Sequence, residues 1–210
     1  MIVNQIYQDV NTYYSNKVNK FGATPKGVDW NGAESQILRF TQLLKIIDHN
    51  EFSLTDIGCG YGRLYEYMDE KYDSFEYYGY DISEDMIQKA KETYTGNTNK
   101  TFLHISSVND IKISDYLVAS GIFNVKMNYS DTQWLDYILE TLDVLNSKCL
   151  HGFSFNILTS YSDKEYMKDT LYYADPLFLF DYCKKHFSQN VALLHDYDLY
   201  EFTILVKKAA

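Results

Sequence analysis

The sequence predicts an α/β fold of three layers, in which one mixed sheet is covered by helices on both faces. From residue 53 onward, short apolar strands alternate with helix-like segments, and repeated βα units build parallel sheets with helices on each side. The last two strands are separated by only a few residues, so they must pair antiparallel. The chain has 210 residues, of which 46% are hydrophobic, and this suits a single domain with a sizeable core.

The first fifty residues are predicted to be helical. Apolar residues recur at helical spacing at Ile2, Ile6 and Val10. The stretch 20–27 contains Gly and Pro and is predicted to be a loop. Asn31 or Gly32 can cap a second helix, whose apolar stripe consists of Ile37, Phe40, Leu44 and Ile47. We predict that residues 1–33 form a helical lid and residues 34–210 the core of the same domain.

The rest of the chain is predicted to alternate between strands and helices. Strands are predicted at 54–57, 75–80, 101–105, 116–119, 151–158, 191–195 and 200–206. Helices are predicted from about 62, at 83–94, at 131–145 and at 176–186. Ser83 is a favourable N-cap, and Pro176 suits a first helical turn. The final hairpin therefore adds one antiparallel strand to a seven-stranded sheet.

Composition argues against several classes of function. The net charge is -10 and no basic cluster is longer than a pair, which lowers the expectation of a nucleic-acid substrate. No apolar run is long enough to span a membrane, and no signal peptide is visible. Three unpaired cysteines predict a reducing, cytoplasmic environment and neither a disulfide framework nor a metal site.

A glycine-rich turn after the first predicted strand indicates a ligand site. Glycines stand at every second position, Gly58, Gly60 and Gly62, and a helix follows at once. A turn without side chains lets a ligand touch the main chain, and the helix points its free N–H groups there. The next strand ends in Asp81, 19 residues after Gly62, where a carboxylate can accept hydrogen bonds from ribose hydroxyls. Ile82 can pack against a purine.

The spacing of the glycines separates two cofactors. The dinucleotide fingerprint is Gly-x-Gly-x-x-Gly, whereas this chain has Gly-x-Gly-x-Gly preceded by Asp56. A carboxylate would repel a pyrophosphate and attract an ammonium group. S-adenosylmethionine carries such an ammonium group, so the spacing favours it over a nicotinamide dinucleotide.

At these residues the chain resembles the class I S-adenosylmethionine-dependent methyltransferases. Asp56-Ile-Gly-Cys-Gly-Tyr-Gly62 is similar to their first motif, and Tyr80-Asp81-Ile-Ser is similar to their acidic motif after strand two. The terminal hairpin is also that family's topology, and the resemblance covers residues 34–207. It implies a Rossmann-like methyltransferase fold and S-adenosyl-L-methionine as the cofactor.

The resemblance also implies a set of cofactor-binding residues. They are Asp56, Gly58, Cys59, Gly60, Gly62, Asp81, Ile82, Ser107, Val108 and Ser120. The glycines would lie under the methionine portion, and Asp56 would act near its ammonium group. Asp81 would hold the ribose and Ile82 would flank the adenine. The positions after strands three and four would contact the adenine edge and the transferred methyl group, although the acidic residue common after strand three is missing here.

Plainer roles remain open for several of these residues. Asp56 can be a loop-capping carboxylate, and Asp81 can be an N-cap of the helix at Ser83. Cys59 is expected to be a small filler, because nothing basic lies beside it in sequence. Trp30 and Trp134 are expected to be packing residues. Arg39 can reach the carboxylate of the cofactor or be solvated, and the solvated state is preferred.

The acceptor is expected to be a small molecule, a metabolite or a sugar, methylated on O or N by direct in-line displacement; a protein acceptor stays open as the alternative. The motifs of amino-methylating and cytosine-methylating nucleic-acid enzymes are absent, and 152–156 and 172–176 resemble small bacterial methyltransferases of biosynthetic or surface-polysaccharide loci. The tyrosine-rich segments 1–33 and 159–174 would cover the acceptor.

No motif marks a general base. The candidates are His104, His151, His195, Asp196 and several tyrosines, and among these His195 and Tyr161 are the candidates for a catalytic role. Two alternative functions stay open at this point: an NAD-type oxidoreductase, and a non-catalytic scaffold that binds S-adenosylmethionine. The sequence makes no prediction of the oligomeric state.

Overall fold

The computed structural model describes residues 2–22, 24, 27, 32–96 and 98–209, without the side chains of Ile2 and Asn4. The predictions for Trp30, Asn31, part of the loop 20–27 and the side chain of Ile2 lie outside the described residues.

The strands of the described chain form one sheet of seven, in the order β3-β2-β1-β4-β5-β7-β6. They are β1 Phe52–Ile57, β2 Phe75–Asp81, β3 Lys100–His104, β4 Ser114–Ala119, β5 Cys149–Leu158, β6 Asn190–Leu194 and β7 Glu201–Lys207. Neighbouring strands are parallel from β3 to β5, and β7 pairs antiparallel with both β5 and β6. The predicted mixed sheet with an antiparallel terminal hairpin is confirmed.

Helices cover both faces of this sheet. They are α1 Ile2–Phe21, α2 Ala33–Leu43, α3 Arg63–Asp69, α4 Glu84–Thr93, α5 Asp131–Lys148 and α6 Pro176–His186. Short 3-10 helices span Leu44–Ile46, Val108–Asp110 and Lys164–Tyr166. The Ser83 hydroxyl accepts a hydrogen bond from the Met86 N–H at the start of α4, as its sequence predicts. Pro176 stands in the first turn of α6, behind the N-cap Asp175.

Two hydrophobic cores lie on opposite faces of the sheet. Successive side chains of a strand point to opposite faces, so Leu54 joins one core and Ile57 the other. The core on the α5 face contains Trp134, Ile138 and Leu142, the predicted apolar face of that helix. Trp134 is fully buried and donates its indole N–H to the Phe123 carbonyl, which confirms it as a packing residue.

The second helix differs from its prediction. It ends at Leu43 and continues as a 3-10 turn, so the apolar stripe expected to run to Ile47 is cut short. Its buried face includes polar residues, and Arg39 is only 7% exposed. The prediction of a solvated Arg39 is therefore wrong: its guanidinium donates to Glu201, at 2.8 Å from Nε to Oε2 and 2.6 Å from Nη2 to Oε1. The partner is 162 residues away in sequence, beyond the reach of a local pattern.

The N-terminal helix α1 lies across the edge of the sheet where the parallel strands end. Ser15 shares a hydrogen bond of 2.9 Å with Ser83 at the start of α4, and Asn19 donates to Asp85 at 3.0 Å. Tyr129, just before α5, donates its hydroxyl to Asp9 at 2.6 Å. These contacts bring α1 against the carboxyl ends of the strands, where ligands bind in open α/β sheets. Among the described helices, none has the length and apolar character needed to cross a membrane.

Candidate functional site

The glycine-rich turn after β1 has a backbone that side chains would disturb. Gly58, Gly60 and Gly62 all have positive φ, of 72°, 54° and 87°. A Cβ added at Gly58 would lie 2.3 Å from Cγ2 of Ile122, in the loop after β4. The N–H groups of Gly58 and Cys59 both donate to the Tyr80 carbonyl, at 2.8 and 3.1 Å. The turn is therefore held tightly between β2 and the loop after β4.

Asp81 ties this turn to the start of α4. Its Oδ2 accepts from the Gly60 N–H and its Oδ1 from the Ser83 N–H, each at 2.8 Å. Burial raises the pKa of Asp81, and the N–H groups of Ser83 and Gly60 act against that rise. Because Ser83 itself caps α4, Asp81 is not the N-cap. Each carboxylate oxygen keeps a second lone pair that can accept a further hydrogen bond.

Asp56, the last acidic residue of β1, is buried next to the turn. Its Oδ2 accepts from the Tyr77 hydroxyl at 2.6 Å, so its partner is a β2 side chain rather than a loop N–H. Burial raises the pKa of Asp56 to about 7; the Tyr77 hydrogen bond lowers it and the charge of Asp81 raises it. Burial likewise raises the pKa of the Cys59 thiol well above its usual value, so Cys59 is a protonated, space-filling residue.

These residues surround a cavity that we call the inner cavity. Seven of the predicted cofactor residues line it: Asp56, Gly58, Cys59, Gly60, Asp81, Ile82 and Ser120. Gly121 and Ile122, from the loop after β4, line it as well. Helices α1 and α2 close it with residues that the sequence did not single out as ligands: Tyr7, Val10, Tyr14, Gln36 and Phe40.

Three predicted cofactor residues do not line the inner cavity. A Cβ at Gly62 would lie 2.8 Å from Cε2 of Tyr94 and 2.9 Å from Cζ of Phe102, so this glycine faces aromatic packing. Ser107 instead caps the 3-10 helix that begins at Val108. Tyr7 of α1 lies on the cavity wall, and its hydroxyl is within hydrogen-bonding reach of both Ser107 and Val108.

A second, larger cavity of about 800 Å³, the outer cavity, adjoins the inner one. Helix α1 contributes Tyr13, Tyr14, Lys17 and Phe21 to its wall. The segment after β5 contributes Ser162, Tyr166, Lys168, Thr170, Leu171 and Tyr173. The two segments expected to cover an acceptor thus line the same cavity. Tyr14 and Gly121 line both cavities, so the two meet there.

A comparison with known proteins decides the family. The family model described as a methyltransferase domain matches residues 54–148. A Mycobacterium tuberculosis protein (strain ATCC 25618 / H37Rv), provisionally named methyltransferase Rv1506c, is 51% identical over 159 residues, which cover 76% of this chain and 95% of the relative. The chain belongs to the class I S-adenosylmethionine-dependent methyltransferases. Its cofactor is S-adenosylmethionine, and the family decides against the NAD-type oxidoreductase and the non-catalytic scaffold.

Solved methyltransferases share the fold of this methyltransferase at low identity. Magnesium protoporphyrin IX methyltransferase from Synechocystis PCC 6803, solved with S-adenosylhomocysteine, has a TM-score of 0.68 and 13% identity, over 96% of this chain and 99% of that one. DhpI, also solved with S-adenosylhomocysteine, has a TM-score of 0.65 and 12% identity, over 97% and 98%. The plantazolicin methyltransferase BpumL has a TM-score of 0.62 and 14% identity, over 98% and 100%.

The methyltransferase also contains a buried polar network that the sequence did not reveal. The Glu201 carboxylate, already paired with Arg39, accepts a hydrogen bond from Asn156 Nδ2 at 2.8 Å. Asn156 Oδ1 in turn accepts from the Gly121 N–H at 2.8 Å. The network connects α2, through β7 and β5, to the loop after β4 at the junction of the two cavities. It therefore holds the loop after β4 in place at this junction.

The predicted catalytic candidates lie away from both cavities. His195 and Tyr161 are exposed, with ring centroids 6.0 Å apart, and neither lines a cavity. His49 and His151 stack on each other at 4.5 Å, next to Tyr116. Within the described ranges, no group of three or more His, Cys, Asp or Glu residues is arranged to hold a metal ion.

Proposed function

We propose that this methyltransferase transfers the methyl group of S-adenosylmethionine to a small molecule, a metabolite or a sugar, held in the outer cavity. The observation that carries the proposal is the meeting of the two cavities at Tyr14 and Gly121. A donor in the inner cavity and an acceptor in the outer cavity approach each other at that junction. A cavity of about 800 Å³ also suits a metabolite better than a duplex.

The order of the strands supports one orientation of the cofactor. Asp81 and Ile82 at the end of β2 are suited to the ribose and the adenine, since the carboxylate retains free lone pairs. The glycine turn after β1 lies next in the sheet and is suited to the methionine portion, with Asp56 near the ammonium group. The loop after β4 follows on the other side of β1 and carries Gly121 at the junction. The sulfonium methyl would point through this junction.

The chemistry asked of the protein is mainly orientation. S-adenosylmethionine supplies an activated methyl group, which an oxygen or nitrogen lone pair of the acceptor attacks in line with the departing sulfur. The Arg39–Glu201–Asn156 network fixes the loop that the methyl group passes. Tyrosines of the outer cavity can stack on a ring and hydrogen-bond to hydroxyl groups. This lining supports a polar, ring-bearing acceptor methylated on O or N.

A tritium-transfer assay tests this proposal. Purified protein is incubated with S-adenosyl-L-[methyl-³H]methionine and, in separate reactions, a panel of sugars, phenols and amines, a protein mixture or nucleic acid, and labelled products are separated from the cofactor. We expect label in a small-molecule product from at least one class. Label that appears only in added protein or nucleic acid would overturn the small-molecule acceptor.

Blocking the outer cavity should abolish transfer without weakening cofactor binding. Thr170 lines the outer cavity and does not line the inner one. We expect Thr170→Trp to reduce transfer to the acceptor found above by at least about tenfold, because the indole occupies acceptor space, while calorimetry gives the wild-type affinity for S-adenosylhomocysteine. Thr93→Trp, on an exposed site of α4, is the matched control and should leave both quantities unchanged. Equal transfer by both variants would contradict the acceptor site.

Cofactor affinity should depend on pH through Asp56. With a pKa of about 7, Asp56 must lose a proton below neutrality before it can pair with an ammonium group. We expect the affinity for S-adenosylhomocysteine to fall roughly tenfold from pH 8 to pH 6 in calorimetric titrations. Asp56→Asn should bind more weakly at pH 8 and show a flat profile. A wild-type profile that is flat as well would contradict the assigned role.

Asp56 should also make the stability of the cofactor-free protein depend on pH. Stability should fall as pH rises, whereas cofactor affinity should increase. The unfolded chain ionises Asp56 near its ordinary pKa of roughly 4, whereas the folded, cofactor-free protein holds the proton to about 7. Between these values the folded state binds the extra proton, so this group's contribution to stability falls as pH rises. We therefore expect Asp56→Asn to melt at a higher temperature than the wild type at pH 8, by differential scanning fluorimetry without cofactor.

A further inference from the structure

We infer that Gln36 is a cofactor-binding residue whose side-chain oxygen accepts a hydrogen bond from the ammonium group of S-adenosylmethionine. No sequence motif marks this residue, which lies on α2, outside the glycine-rich turn. The inference rests on the cofactor of the family and on the proposed orientation of that cofactor, and it is independent of the identity of the acceptor.

The first observation is an unpartnered acceptor. Gln36 is 3% exposed, and within the described part of the chain its Oε1 has no hydrogen-bond partner. Buried polar atoms in native proteins are nearly always paired, so an orphan on a cavity wall indicates a donor that a ligand supplies. Gln36 lines the inner cavity. Ser120, whose buried hydroxyl also has no partner among the described residues, lines the same cavity.

The second observation is that α2 holds Gln36 firmly in this place. Arg39, one turn further along α2, is anchored by its two contacts with Glu201 and also donates to the Ser35 carbonyl at 2.9 Å. On the cavity side, a hydrogen bond from Gln36 to the Tyr61 hydroxyl opposes the rise that burial gives the pKa of Tyr61. Tyr61 therefore helps to hold the Gln36 side chain at the cavity wall.

The chemistry of the cofactor selects its ammonium group. An acceptor oxygen needs a donor, and the ribose hydroxyls are assigned to Asp81, at the far side of the glycine turn. The ammonium group carries three N–H donors, which is enough for both Asp56 and Gln36. Helix α2 packs against β5 and β7, on the side of β1 away from β2. Gln36 therefore reaches the methionine end and not the adenine end.

The ionisation of Asp56 agrees with this assignment. In the cofactor-free protein its buried carboxyl has a pKa of about 7, a value that a neighbouring cation would lower. The Asp56 carboxyl and the neutral amide oxygen of Gln36 both line the inner cavity, and together they can bind one positive charge. The neutral amide adds no second negative charge that would repel the carboxylate of the cofactor.

Calorimetric titration with three ligands tests the inference. S-adenosylhomocysteine carries both the ammonium and the carboxylate, decarboxylated S-adenosylmethionine carries the ammonium alone, and 5′-methylthioadenosine carries neither. We expect Gln36→Met to bind the first two about ten- to a hundredfold more weakly than the wild type, the range of a lost hydrogen bond to a charged group. Its affinity for 5′-methylthioadenosine should stay within twofold.

The matched control is Gln42→Met. Gln42 is another buried glutamine of α2; it accepts a hydrogen bond from Lys45 and lines neither cavity. This variant should bind all three ligands as the wild type does. Gln36→Met should also melt, without ligand, at or above the wild-type temperature, since it replaces an orphaned acceptor by an apolar side chain.

Other outcomes would overturn the inference. Equal weakening for all three ligands would mean that Gln36 supports the cavity as a whole. Weaker binding of S-adenosylhomocysteine alone would mean that Gln36 contacts the carboxylate of the ligand. Unchanged affinity for all three ligands would mean that the Gln36 oxygen does not contact the cofactor. The proposed function fails separately, in the tritium-transfer assay with wild-type protein, whose outcome does not depend on this residue.

Discussion

Replacing Arg39 by Met is expected to lower the free energy of unfolding by about 3–5 kcal/mol, the usual cost of removing one partner from a buried ion pair. The reason is the position of Glu201. Its carboxylate is 2% exposed and receives the Nε and Nη2 donors of Arg39. Without the guanidinium, a buried negative charge would keep, among the described residues, only the Asn156 amide as its hydrogen-bond donor. Urea unfolding, followed by circular dichroism, measures the change.

Two further variants separate charge from packing. In Arg39→Met/Glu201→Gln the second substitution removes the stranded charge and keeps an oxygen for Asn156, so most of the lost stability should return. Lys89→Met removes one partner of a surface ion pair with Glu92 and should cost far less stability than Arg39→Met, because water screens this pair. An equal cost for Arg39→Met and Lys89→Met, or no recovery in the double variant, would contradict the account.

Arg39→Met should also reduce methyl transfer. Asn156 connects Glu201 to the Gly121 N–H at the junction of the cavities. When the Glu201 carboxylate loses Arg39, the orientation of Asn156 and the loop after β4 are no longer fixed. We therefore expect transfer to fall by more than cofactor affinity does, because productive transfer depends on alignment within about an ångström.

The parts of this methyltransferase that the sequence predicted depend on local signals. The strand at Leu54–Ile57, the glycine turn and the cap at Ser83 each follow from neighbouring residues, and the structure confirms the elements they predict. The sequence also predicts that the glycine turn and Asp81 lie at one site, and in the structure the Asp81 carboxylate accepts a hydrogen bond from the Gly60 N–H. Repeating βα units fix which strand ends come together, so this contact needs no long-range information.

The residues that sequence reasoning missed come from helix docking. Gln36 and Tyr14 reach the inner cavity because α1 and α2 pack over the edge of the sheet. Periodicity predicts that a helix has a buried face, but not which cavity that face closes. Arg39 was assigned to solvent for the same reason, since only the fold brings Glu201 to it. The contact of Tyr7 with Val108 is likewise a consequence of docking.

The second large effect is expected for Asp81→Ala, which should reduce the affinity for S-adenosylhomocysteine by at least about a hundredfold. The variant removes the acceptor proposed for the ribose hydroxyls and also the acceptor of the Gly60 and Ser83 N–H groups. A hydrogen bond to a charged group contributes about 1.5–3 kcal/mol, so losing the two that the ribose hydroxyls would donate exceeds the roughly 2.7 kcal/mol that corresponds to a hundredfold. Calorimetry measures affinity, and urea unfolding should show a loss of about 2–4 kcal/mol.

Asp81→Asn distinguishes ligand binding from support of the turn. The Asn amide oxygen can still accept from one of the Gly60 and Ser83 N–H groups, but its NH₂ group faces the other. The stability of Asp81→Asn should therefore lie between that of Asp81→Ala and that of the wild type. Its affinity for S-adenosylhomocysteine should still be low. Glu84→Ala, in the exposed first turn of α4, should cost only a few tenths of a kcal/mol and leave binding intact. If Asp81→Ala lost stability but kept wild-type affinity, the carboxylate would serve only the turn. The ribose would then have to be held by other groups of the inner cavity, and the proposed orientation of the cofactor would be lost.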